Sequence, residues 1–266
     1  MKKTIKSVIS FSVVLAMSFS MMCSSAIATE TTQPIKNIVP IVGEVQHNEY
    51  YSELNRKKEE RMYRERISIN PSKSLSVHQY PQKETDFCGY ASLQSLFRYE
   101  GKYYSMSQYD IMDTFYPRGR IDREGLAWYT IDGTSADQYP AAAALNDASG
   151  YGYAPYPCGT MGSVSPTQKD FKDRIVTTIS DNHGVLACGH SGNEKSKSHL
   201  PGYPNNDVYH WIAVYGYTNS GNSVLICDPA GNNTAVLGSS FKNVKATYSV
   251  DIDTFTEFAS YFGIIW

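Results

Sequence analysis

The sequence predicts an α+β fold, with helices in the first half of the folded region and an antiparallel sheet in the second. Two observations carry this. Residues 88–99 place Tyr90, Leu93, Leu96 and Phe97 on one helical stripe, and Gly101 ends it. Residues 210–217 and 223–227 are apolar runs joined by the polar stretch 218–222, which reads as a hairpin.

The remaining elements follow in order. Ser105-Met106-Ser107-Gln108 reads as a capping box for a helix through Ile111, Met112 and Phe115. Residues 116–157 are rich in Gly, Pro, Tyr and Ala, with a short helix expected over 139–147. Ser165-Pro166-x-Gln168 caps a helix carrying Phe171, Ile175 and Ile179, which stops near Gly184. A buried strand is expected over 185–188, a polar loop over 189–208, and a strand over 246–250. A helix opened by Asp253 and a last strand over 263–266 complete the chain.

The folded domain is expected over 76–266, preceded by two segments of different character. Lys2, Lys3 and Lys6 precede an apolar run over 7–22, and Ala26-Ile27-Ala28 follows as a small-residue cleavage site. This is the pattern of a signal peptide cleaved after Ala28, so a secreted protein is expected; a retained anchor is the alternative. No later stretch has the length to span a bilayer. Residues 29–75 read as a linker or propeptide. Within them, Glu53, Arg56, Lys57, Glu60, Arg61, Arg64 and Glu65 fall at helical spacings for ion pairs. Such a helix is either an activation segment laid across a site or a spacer.

Composition excludes some functions. A net charge of −2 gives no bulk attraction to nucleic acid. Twenty-one tyrosines suit strands and packing surfaces. Beyond the signal region four cysteines remain: Cys88, Cys158, Cys188 and Cys227. An extracellular chain can use such a set as disulfides. There is no C-x-x-C pair, and Cys188-x-His190 alone is a weak zinc signal, so no metal or other cofactor is expected.

Cys88 opens the first amphipathic helix. A thiol there meets the positive end of the helix dipole, which favours the thiolate, and Gly89 permits close backbone approach. A small buried hydrophobe is the alternative role for such a cysteine. His210 opens one strand of the hairpin and Asp228 follows its partner. A turn near 219–220 sets them opposite or nearly opposite on one face, where the carboxylate can accept the imidazole N–H and fix its tautomer. His47, His78, His183, His190 and His199 have no such partner in view. Side-chain alternation turns Cys227 away from Asp228.

Gln82-Lys-Glu-Thr-Asp-Phe-Cys88-Gly-Tyr-Ala-Ser92 resembles the active-site opening of papain-fold cysteine peptidases, where a glutamine stands six residues before the nucleophile. Tyr209-His210-Trp-Ile-Ala-Val-Tyr-Gly216-Tyr217 and Ile226-Cys-Asp228-Pro229 resemble the histidine and aspartate motifs of the bacteriocin-processing-peptidase-like branch. Tyr90, where proline is common, and the length of the 189–208 loop are departures. The resemblance covers about residues 76–266. It implies a papain-like fold acting on peptides or proteins, with Cys88 as nucleophile, His210 as base, Asp228 orienting it, and Gln82 donating to the oxyanion. In the sheet the resemblance implies, the strands of Cys188 and Cys227 flank the His210 strand on opposite sides, roughly 9–10 Å apart and too far to bridge. A transglutaminase-like acyltransferase or cell-wall amidase using the same residues, and a binding module that retains the fold, are the alternatives.

Overall fold

The computed structural model describes residues 49–64, 70–115, 140–161 and 164–266. The expected signal peptide, the linker over 29–48 and most of the Gly-, Pro- and Tyr-rich segment lie outside the described residues.

Helix α1 (Glu49–Arg64) and the short strand β1 (Lys73–Ser74) come first. Helices α2 (Cys88–Glu100), α3 (Gln108–Phe115) and α4 (Pro140–Ser149) follow, then β2 (Pro155–Pro157) and α5 (Gln168–Ser180). The second half runs β3 (Val185–Ser191), β4 (Val208–Thr218), β5 (Ser223–Cys227), α6 (Thr234–Leu237), β6 (Thr247–Asp251), α7 (Ile252–Ala259) and β7 (Gly263–Ile265). The order of types is the α+β one expected. Among the described residues no helix is long and apolar enough to cross a membrane.

The sheet runs β2-β7-β3-β4-β5-β6, and every pairing is antiparallel. β1 pairs with β4 at Tyr217 and Gly216, beyond Val214, where the pairing with β3 starts at Val185. Side chains alternate across the sheet, so each strand feeds two cores. Cys188, Trp211, Ala213 and Cys227 pack with Leu93, Leu96 and Phe97 of α2. Ala187, Ile212, Val214 and Ile226 pack with Phe171, Ile175 and Ile179 of α5 and Phe255 and Phe258 of α7. Gly189, opposite His210, is required by this second layer. A Cβ there would stand 2.3 Å from the Phe258 carbonyl oxygen, so any side chain pushes α7 off the sheet.

Two caps sit later than the sequence suggests. At α3 the Ser107 hydroxyl accepts from the Asp110 N–H and the Asp110 carboxylate from the Ser107 N–H. At α5 Thr167 and Asp170 make the same exchange. An aspartate three residues after the cap closes the box as glutamate or glutamine does. This releases Gln108, which is buried and accepts from the Lys83 N–H while its amide donates to Pro81 O and Gln94 Oε1.

Helix α1 is a packed part of the body. Tyr51 is buried in the α2-side core. Asn55 accepts from the Trp266 indole N–H at 2.9 Å and donates to Pro155 O. Lys58 donates to the Gly152 and Trp266 carbonyls and lies over the Tyr151 and Trp266 rings. Glu59 pairs with the buried Arg174, and Arg61 with Asp181. Tyr151 in turn stacks on His183, which bonds Glu100 at the last residue of α2. That end is about 18 Å along the helix from Cys88. Residues 49–64 therefore pack on the body, with Lys58 and Arg61 near the end of α2 remote from Cys88.

Candidate active site

Cys88 is the first residue of α2 and is buried. Phe87 precedes it with no side-chain cap, and the first turn holds no acidic residue. The positive dipole end of this helix thus lies at the thiol.

His210 and Asp228 meet as the hairpin argument expects, by a slightly different route. Ala213 faces Cys227 and Val214 faces Ile226, but Gly216 faces Leu225, so Tyr215 is a bulged residue on β4. This register sets the position after Cys227 opposite Ile212, with His210 one diagonal step away. The step is within side-chain reach. Nε2 of His210 stands 2.9 Å from Oδ1 of Asp228, and both residues are buried. Nε2 is thereby engaged, which leaves Nδ1 as the ring nitrogen free to serve the nearby Cys88 thiol, whose presence also favours the charged ring. Burial opposes a charge on His210. The Asp228 carboxylate and the hydrogen bonds to Asp228 and Cys88 outweigh it, and the imidazolium is held up to about pH 10.

The Asp228 carboxylate is wholly buried and accepts four hydrogen bonds. Oδ1 also takes the Ala230 N–H at 2.8 Å, and Oδ2 takes the hydroxyls of Tyr203 at 2.8 Å and Tyr248 at 2.6 Å. Sequence reasoning missed both tyrosines. Tyr248 faces Ile226 across the β5–β6 ladder, so it shares Asp228's face, and a register for β6 would have found it. Tyr203 comes from the loop after β3, where no periodicity gives a signal.

The segment before Cys88 is tied to the turn after Asp228. Gln79 donates to the carbonyls of Asp228 and Gly231, the Gln82 N–H to Pro229 O, and Asn233 to Gln82 O at 2.7 Å. These bonds fix the helix start against the strand end. Gln82 is buried here, but its amide faces its own loop. Nε2 donates to Glu84 O and Thr85 O, each at 2.9 Å, and Oε1 is buried without a partner. Its expected donation to an oxyanion requires one of those loop bonds to be given up.

The other cysteines and histidines are occupied elsewhere. Cys88, Cys158, Cys188 and Cys227 are all unbridged, and β3 and β5 flank β4 as the bridging argument requires. Burial pushes Cys158 and Cys227 up to about 12 and Cys188 well above its ordinary value, so none of the three offers a thiolate at neutral pH. His183 pairs with Glu100, His190 with Asp207, and His199 with Gly192 O. His78 is exposed, and His47 lies outside the described residues.

A helix bearing a cysteine, packed on an antiparallel sheet that bears a histidine and an aspartate, defines a papain-like cysteine peptidase architecture. Residues 74–251 match the Peptidase_C39 like family, and the chain belongs to it. It is accordingly a cysteine-type peptidase, with protein or peptide as substrate. Among solved structures it is similar to xylellain, a cysteine protease from Xylella fastidiosa. The identity is 14%, over 74% of this chain and 86% of that one, with a TM-score of 0.41. No curated protein matches the sequence.

Proposed function

We propose that this chain is a secreted peptidase in which Cys88 attacks the peptide carbonyl, His210 carries the proton and Asp228 orients His210. The observation that carries this reading is His210 itself, bonded through Nε2 to a buried carboxylate, with the Cys88 thiol at a helix start close enough to favour its charge. The Cys88 sulfur forms the bond to carbon, and the resulting oxyanion takes the Cys88 N–H and the Gln82 amide. Collapse expels the amine, which takes its proton from Nδ1 of His210. Water deprotonated by His210 then cleaves the thioester and returns the thiol. Secretion rests on the basic, apolar and Ala26-Ile27-Ala28 sequence at the N-terminus.

The test is digestion of a peptide library, with cleavage products identified by mass spectrometry, before and after iodoacetamide treatment. Cleavage that survives full alkylation of Cys88 would sink the assignment.

The pH profile gives a second check. The leaving amine needs the His210 proton, so kcat/KM is retained up to about pH 10 and falls as the imidazolium is lost above it. Asp228→Asn removes the charge that holds this proton, and the alkaline limb moves toward the ordinary histidine value of about 6.5. Asp228→Ala costs less in kcat than His210→Ala, since it orients the base without moving the proton. An unmoved limb in Asp228→Asn would reduce Asp228 to a packing residue.

Gln82→Ala is expected to lower kcat by about 10²–10³-fold with little change in KM. A bond to an oxyanion is roughly twice as strong as one to a neutral carbonyl, so giving up Glu84 O or Thr85 O for it is favourable. A change confined to KM would assign Gln82 to loop architecture alone.

A further inference from the structure

We propose that Tyr203 and Tyr248 are positioning residues, whose two phenol hydrogens hold Oδ2 of Asp228 so that Oδ1 faces His210 at a set strength. The inference rests on the Cys88–His210–Asp228 reading and adds to it a pair of residues that no motif marks.

A carboxylate has two oxygens and one torsion that exchanges them. In Asp228 that torsion is fixed by donors of different origin at each oxygen. Oδ1 takes His210 and the Ala230 N–H, and Oδ2 takes the two phenols. Rotation would bring neutral donors where the imidazole stands, and the histidine would lose its partner. The two phenols also draw charge toward Oδ2. Each of them weakens what Oδ1 presents to His210, so together they set how tightly the imidazolium is held.

Both phenols stay donors across the working range. Burial, and then the Asp228 charge, push Tyr203 and Tyr248 well above the ordinary tyrosine value. The titratable groups around the centre are few. His210 faces Asp228 and Cys88, and Asp228 faces His210, Tyr203 and Tyr248, with its chain neighbour Cys227 turned to the opposite side. Cys227 is kept a neutral thiol by burial. The phenols are therefore the adjustable neighbours of the carboxylate.

The two anchors differ in kind. Tyr248 stands in β6 opposite Ile226, inside the ladder. Tyr203 belongs to the loop between β3 and β4. Its N–H bonds Leu200 O, Leu200 is buried and bonds the Ser191 hydroxyl, and the Tyr203 ring packs against His210 and Phe241. The loop that lengthens this chain thus reaches the carboxylate through one hydroxyl.

The test follows the His210 imidazole by NMR of protein labelled at its six histidines, with His210→Ala assigning the signal. Tyr203→Phe and Tyr248→Phe each remove a donor from Oδ2 and are expected to move the His210 titration upward by about half a unit. The double variant moves it further, and kcat falls in each while KM holds. Site-specific 3-fluorotyrosine at 203 or 248 keeps the ring and sharpens the donor, so its shift is downward; it decides the matter if a Phe variant does not fold. A His210 titration unmoved in the Phe and fluorotyrosine proteins, with only the melting temperature changed, overturns the inference. If His210→Ala keeps its turnover, the triad reading fails, and that outcome is separate from anything the tyrosines do.

Discussion

Cys88→Ala is expected to lower peptide hydrolysis by about 10⁴-fold or more while the melting temperature stays within a few degrees of the parent. The size follows from the chemistry proposed. Without the sulfur no thioester forms, and what remains is whatever binding and oxyanion contacts do for direct attack by water. The fold tolerates the change because the lost atom is one small buried group at the edge of the α2-side core, worth about 1 kcal/mol. Neither Cys188 nor Cys227, the two that share that core with Cys88, can substitute. Both are raised far from thiolate chemistry by burial. Cys88→Ser keeps the volume and is expected to be nearly as inactive, since a hydroxyl is a much weaker nucleophile than sulfur in this role. The measurement is product formation from a peptide library beside a thermal melt. Hydrolysis near the parent rate in Cys88→Ala would remove the nucleophile from this account.

Loss of α1 is expected to cost the domain much of its stability. A chain beginning at residue 70 takes Glu59 from Arg174, whose remaining carboxylate neighbour, Asp170, stands 3.8 Å away. Tyr51 also leaves the α2-side core, where burying a side chain of that size is worth about 2–3 kcal/mol. The Trp266 indole N–H loses Asn55, and the Gly152 and Trp266 carbonyls lose Lys58. At about 2–4 °C per kcal/mol for a domain of this size, the melting temperature should fall by about 10 °C or more against a chain beginning at residue 49. Equal melting temperatures would make α1 a spacer after all. Inhibition of the shorter chain by added residues 29–75 would restore the activation-segment reading. The arrangement described here predicts instead that any maturation cut that preserves activity falls before Glu49.

The sequence made the frame of this protein legible and left its fastenings dark. The α2 stripe, the hairpin over β4 and β5, and the approach of His210 to Asp228 all rest on local periodicity, which one chain carries in full. The bulge at Tyr215 was invisible because a one-residue insertion leaves the apolar run unbroken, and only the pairing records it. The caps at Ser107 and Thr167 were displaced because both Ser-rich stretches offer two registers, and the aspartates at 110 and 170 decide between them. The role of α1 was unreadable for another reason. Its charged pattern fits a solvated helix, yet Lys58, Asn55 and Tyr51 on its inner side meet partners as distant in sequence as Trp266. The tyrosines on Asp228 come from two further segments, and no spacing within either announces a shared target.

The unbridged state of the four described cysteines bears on how this enzyme responds to oxidants and reductants. A fold stapled by disulfides is loosened by the reductant that revives an oxidised active-site thiol. Here nothing structural among the described residues depends on an S–S bond, so strong reductant restores Cys88 at no cost to the scaffold. Cys158, Cys188 and Cys227 are sealed as neutral thiols, and oxidants reach the molecule chiefly through its reactive sulfur. If the protein is secreted as proposed, redox conditions outside the cell switch turnover on and off without unfolding it.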